Sequence, residues 1–229
     1  MKTKVNYFAI LVFYTIAISM RYITNKTHIL EGVYTEFLKI LLQAAGPAVG
    51  ACVAFCFSKS KPVLSLRGNY NQIGVPFLLY WGLPITLILS VEYFSEGTLS
   101  FFAVSAILCY GLLEEIGWRG FLRQELKPLP PLLNILIVAT LWFVWHLNFD
   151  MSASNLLFFG ILILGSWGIG KVADNTRSLF AVSAFHSVNN FFPVMNNTKI
   201  ILLGTLLAIW IVCLVVRKKR SRVMAPAVV

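Results

Sequence analysis

Long apolar stretches alternate along the chain with short polar connections. Eight stretches stand out, approximately Val5–Ile23, Phe37–Phe57, Ile73–Tyr93, Leu99–Leu122, Pro131–Phe149, Asn155–Val172, Ser178–Met195 and Lys199–Val216. Each is near the roughly 17–25 residues that a bilayer crossing needs. Lipid offers no partner to a free backbone amide, so each stretch predicts a helix. The expected fold is an all-α, polytopic transmembrane bundle of about eight spans. Residues 1–229 read as one integral membrane domain, with a motif-bearing core at about 99–195. The first stretch follows Lys2 and Lys4 but shows no small-x-small cleavage pattern, which predicts an uncleaved span. Gly46-Pro-Ala-Val-Gly50 predicts close helix packing with a kink.

Composition agrees with the pattern. Apolar residues make up 58% and charged residues 12%, far from the proportions of soluble domains. The net charge of +10 would suggest nucleic acid in a soluble chain. Here the basic residues flank apolar stretches, where they set topology and meet membrane lipid headgroups, and no nucleic-acid partner is expected. With eight spans, 15 of the 19 Lys and Arg fall on one side, among them Lys2, Lys59, Arg123, Arg177 and the tail Arg217–Arg222. The positive-inside rule then puts both termini in the cytoplasm, and the strong bias suits a prokaryotic plasma membrane. Cys52, Cys56, Cys109 and Cys213 lie in apolar stretches without zinc-ribbon spacing and read as packing residues.

Ionisable groups inside such spans are costly and point to function. The fourth span carries Glu114, Glu115 and Arg119, the fifth Trp142 and His146, the seventh His186 and Asn190. Glu115 and Arg119 are four apart and can pair, while Glu114 is rotated about 100° away. His186 and Asn190 are also four apart and are expected to project together. At a rise of about 1.5 Å per residue, Glu114, His146, His186 and Asn190 come out about 12–22 Å from the basic helix ends and can meet at one level. A carboxylate beside a histidine can hold and deprotonate a water. A second histidine with an asparagine can donate to an oxyanion. Equally, Glu114, His146, His186 and Asn190 could hold a divalent metal such as zinc, so the cofactor is open. No His-Glu-x-x-His or Gly-x-Ser-x-Gly occurs.

The series Glu114-Glu115-x-x-x-Arg119, then an aromatic-x-x-x-His ending at His146, then His186-x-x-x-Asn190 resembles the CPBP family. These are the CaaX-protease and bacteriocin-processing intramembrane endopeptidases, also called Abi proteins. The pattern covers Gly111 to Asn190, and Gly120-Phe121-Leu122 after the arginine also fits. The resemblance implies Glu114 as catalytic base and His146 as holder of the attacking water. It implies Glu115 and Arg119 as supports and His186 with Asn190 as the oxyanion site. Family members have been described both as metal-dependent and as glutamate-type, so the metal question carries over. The family's second motif usually begins with Phe, where this chain has Trp142.

The leading expectation is an endopeptidase acting on membrane-associated peptides or proteins, lipid-anchored or hydrophobic near a terminus. The basic rim favours a cytoplasmic mouth. The alternatives are a non-catalytic Abi-like immunity or scaffold protein, and a transporter using Glu114 and the histidines as a proton relay. The chain shows no clear repeat symmetry of the transporter kind.

Overall fold

A computed structural model describes residues 4–223, with side chains through Lys219. Of the charges sorted above, Lys2 lies outside the described residues, as do the side chains of Arg220 and Arg222. Eight apolar helices follow the predicted order. They are α1 (Tyr7–Lys26), α2 (Glu36–Phe55), α3 (Gly74–Glu96), α4 (Phe101–Glu125), α5 (Pro131–Trp145), α6 (Ala153–Thr176), α7 (Leu179–Ser187) and α8 (Asn197–Val223). Six of them, all but α5 and α7, are long and apolar enough to cross a membrane. Their outward faces expose Leu156, Leu164, Trp167, Ile201 and Val212, the surface a bilayer would cover.

The helix starts are set by local chemistry. Asn6, Ser152 and Ser178 cap α1, α6 and α7 by accepting from Ala9, Asn155 and Ala181 backbone N–H groups. Pro131 opens α5, where its missing N–H costs nothing. Two ends differ from expectation. The apolar run of α5 continues to Phe149, but the helix stops at Trp145, with His146 as its cap and Leu147 in the left-handed region at φ 55°. The run of α7 continues to Met195, yet the helix has only 9 residues and gives way to a turn at Asn189-Asn190. Asparagines compete with the helical backbone, and Pro193 blocks helical geometry at the residue before it. At about 1.5 Å per residue α7 spans only about 14 Å. Most of its residues are buried. Irregular backbone at membrane depth is tolerated where protein or a cavity surrounds it.

Packing positions the site. α1 and α2 pack through the small-residue face: a Cβ at Gly46 would fall 2.7 Å from the Ala17 carbonyl oxygen, and one at Gly50 2.6 Å from that of Phe13. α1 also holds α5, because Tyr14 donates to the Leu141 carbonyl at 3.0 Å and Trp145 Nε1 donates to the Ala17 carbonyl at 3.0 Å. α3 contains a π turn at Leu78–Gly82, and the Leu79 carbonyl accepts from Trp210 Nε1 of α8 at 2.9 Å.

One end of the bundle is closed by the connection between α2 and α3. Ser65 N–H donates to the Arg177 carbonyl at 3.0 Å, Asn69 N–H to Thr176 at 2.7 Å, and Leu179 N–H to the Ser65 carbonyl at 2.9 Å. Ser58 and Gln124 tie the same connection to the end of α4. Arg123 reaches across that end to Asp174 in a bidentate pair at 2.7 and 2.9 Å. This is the end that collects Lys59, Lys61, Arg67, Arg123, Lys127, Arg177 and Arg217.

Candidate active site

Glu114 and Glu115 end the regular part of α4. The next seven residues, Ile116–Leu122, form a π-helical stretch, a local widening often found at functional sites. Both carboxylates are buried, with relative exposures of 1% and 0%. They look in different directions, as the 100° offset predicts.

Glu114 faces a cavity of about 610 Å³ whose wall also includes Tyr110, Trp142, His146, His186 and Asn190. Its Oε2 accepts from two indoles, Trp142 Nε1 at 2.7 Å and Trp118 Nε1 at 3.0 Å. His146 comes from the cap of α5, where its Nδ1 lies 2.8 Å from the Trp142 carbonyl. A carbonyl only accepts, so Nδ1 carries the proton and Nε2 is left with a lone pair. His186 reaches the cavity from the last turn of α7. Asn190 arrives from the turn beyond, where its N–H donates to the Ser187 carbonyl at 2.8 Å. The expected shared helix face of His186 and Asn190 is therefore absent, although both line the same cavity.

Glu115 points away from the cavity into a buried ionic cluster. Its Oε1 accepts from Arg119 Nη1 at 2.6 Å and from His186 Nδ1 at 2.7 Å. The Arg119 and Glu115 side chains are both 0% exposed. The guanidinium also lies 4.4 Å from the Trp142 ring centre. Glu115 thus fixes the His186 ring from behind, a role that a partner 71 residues distant hid from the sequence. Gly111 makes this approach possible, because a Cβ there would meet Ser187 Oγ at 2.6 Å and the Ser183 carbonyl at 3.0 Å.

Two neighbours of these side chains escaped the sequence reading. Trp118 stands four residues after Glu114, so helical spacing alone could have flagged it. Asn189 lines the cavity beside Asn190. The cavity runs along the bundle between two sets of residues. Glu115 and Arg119 lie on its basic side, and beyond them come the Arg123–Asp174 pair and the connection over that end. Ile40, Ile107 and Phe158 of the wall sit within the first two turns of α2, α4 and α6, at the opposite end. Gly168 and Ile169 of the same wall lie nearer the basic end of α6.

Among the described residues no three His, Cys, Asp or Glu side chains gather as a metal-holding group. Glu114 Oε2 is already taken by two N–H donors, and His186 Nδ1 by Glu115. The four expected ligands share a cavity without forming a coordination shell.

Residues 96–192 match the Rce1-like family, described as type II CAAX prenyl endopeptidase Rce1-like. That segment carries all three motifs, and over it the chain is similar to the CaaX-type intramembrane proteases. No curated protein and no solved structure matched.

Proposed function

We propose that this chain is a CPBP-family intramembrane endopeptidase that hydrolyses a peptide bond with a water activated by Glu114 and His146. The observation that carries the reading is one cavity that gathers buried Glu114 and His186 with half-buried His146 and exposed Asn190 from three different helical segments. Ionisable groups of three separate motifs converging on one space are hard to explain by packing alone.

The chemistry follows from the free atoms. With Glu114 Oε2 held by indoles, Oε1 is the oxygen that takes a proton from water. His146 Nε2 accepts the water's second hydrogen and orients it. The water oxygen attacks the carbonyl carbon, and negative charge moves to the carbonyl oxygen. His186 Nε2, when protonated and balanced by Glu115, and the Asn190 amide donate to that oxygen. Glu114 then passes its proton to the leaving nitrogen as the C–N bond breaks. No step requires a metal.

The apolar and aromatic walls, including Phe158, Leu162 and Phe185, suit a hydrophobic or lipid-anchored segment held at the membrane. The basic end is proposed to face the cytoplasm, with both termini on that side. The deciding experiment compares Glu114→Gln and His146→Ala with the natural chain in proteoliposomes and in cells. Cleavage falls by about 10²–10⁴-fold on loss of the base, the variants still insert, and an uncut peptide accumulates. Full complementation by both variants would defeat the enzyme reading in favour of a scaffold.

A further inference from the structure

Trp142 does more than line the cavity. Its side chain and its backbone contact different members of the site. The indole Nε1–H donates to Glu114 Oε2 at 2.7 Å, and the carbonyl accepts from His146 Nδ1 at 2.8 Å. The ring lies beneath the Arg119 guanidinium and beside the His186 ring at 5.2 Å. Packing in such a place asks only for a flat aromatic ring, which phenylalanine supplies. The N–H is an addition that packing does not require.

The consequence lies in how many donors one carboxylate oxygen can take. An indole N–H only donates, and each carboxylate oxygen offers about two lone pairs. Trp118, from α4 itself, fills the second position on Oε2 at 3.0 Å. The two indoles come from different helices, so together they fix the plane of the carboxylate relative to both α4 and α5. Oε2 is saturated, which leaves Oε1 as the oxygen to meet a water. The Trp142 carbonyl meanwhile fixes the proton of His146 on Nδ1, which directs the Nε2 lone pair away from the backbone.

We propose that Trp142 is a positioning residue that, with Trp118, clamps Glu114 through Oε2 so that Oε1 is the only basic oxygen presented to the cavity. The proposal rests on Glu114 being the base, and its test has one arm that does not depend on activity. In the kinetic arm, Trp142→Phe keeps the ring and the His146 carbonyl contact but removes one charge-assisted hydrogen bond. It lowers kcat about tenfold, the scale of a hydrogen bond to a charged group, and leaves KM within about twofold. Unchanged kcat, or a rise in KM that accounts for the whole loss, overturns the proposal, because the residue would then shape the pocket only.

In the spectroscopic arm, the intact chain in detergent carries ¹⁵N-labelled tryptophan. The Nε1–H resonances of Trp118 and Trp142 are assigned by their loss in Trp118→Phe and Trp142→Phe. Glu114→Gln replaces the charged acceptor with a weaker neutral one, so both resonances move upfield while the other indoles stay. Resonances of Trp118 and Trp142 that ignore Glu114→Gln overturn the clamp, whether or not a cleaved peptide has been found. A chain that cleaves nothing but shows both shifts keeps the clamp and defeats the peptidase reading instead.

Discussion

Replacing Glu115 by glutamine isolates the ionic support of the site from its base. The glutamine keeps the size of the side chain and can offer one oxygen to Arg119 Nη1 and His186 Nδ1, which now lie 2.6 and 2.7 Å from Oε1. What disappears is the charge. Arg119, with its side chain 0% exposed, is left as an unpaired cation. Its Nε and Nη2 already have no hydrogen-bond partner, so no second hydrogen bond compensates. Breaking a buried pair from one side costs about 3–5 kcal/mol. By the scaling of water-soluble domains of this size, that lowers the unfolding midpoint by about 6–20 °C. Arg119→Gln is expected to cost less, because the remaining Glu115 carboxylate still touches His186, and a histidine can take a proton to become the countercharge. The double replacement should cost less than the two single losses added, by about 1–3 kcal/mol of coupling. Thermal unfolding in one detergent, followed by tryptophan fluorescence for the four chains, measures every term. An unchanged midpoint for Glu115→Gln, or strictly additive losses, would refute the buried-cluster reasoning.

Two more predictions follow from packing and charge. Gly111→Ala forces a methyl group against Ser187 Oγ at 2.6 Å and the Ser183 carbonyl at 3.0 Å. It should push α7 and His186 away, cost about 1–3 kcal/mol as overpacking does, and reduce cleavage. An unaltered unfolding midpoint with full activity would contradict the close approach. Reporter fusions at the two ends should both signal the cytoplasm, as the charge sorting requires. Signals from opposite sides would remove the proposed topology.

The helices were legible because each is a long apolar run, and lipid permits little else. Their inner ends were not. Hydropathy continues through Leu147 and Phe149 after α5, and through Val188, Phe191 and Phe192 after α7. A turn that lines a protein cavity leaves no polar mark of the kind a surface loop does. The pairing of Glu115 with Arg119 was readable from their spacing of four. The third member, His186, was not, because nothing local in a sequence joins positions 71 apart. Trp142 shows the same limit in another form. Its spacing to His146 predicts ring packing, and the rings do lie 6.3 Å apart. The direction of its N–H, toward Glu114 rather than toward lipid, is decided by how α5 is rotated against α4.

That rotation depends on a helix with no motif. α1 lies outside the family match at 96–192, yet it holds α5 by both of its last turns. Tyr14 donates to Leu141, one residue before Trp142, and Trp145, one residue before His146, donates to Ala17. Arg21 then lies 4.3 Å from the centre of the Trp145 ring while its guanidinium reaches the Gln43 carbonyl of α2. The backbone on either side of the second motif is therefore pinned by residues that look like ordinary membrane-span residues in the sequence. A helix that holds the proposed catalytic histidine at its end needs its neighbours fixed, because a cap residue lacks the full hydrogen-bond ladder of the helix interior. The aromatic hydroxyl and indole groups of α1 and α5 supply that fixation at membrane depth, where water cannot compete for them. The proposed chemistry of the site is thus written in three short motifs, while its precision is carried by polar tips on large apolar side chains of α1, α4 and α5.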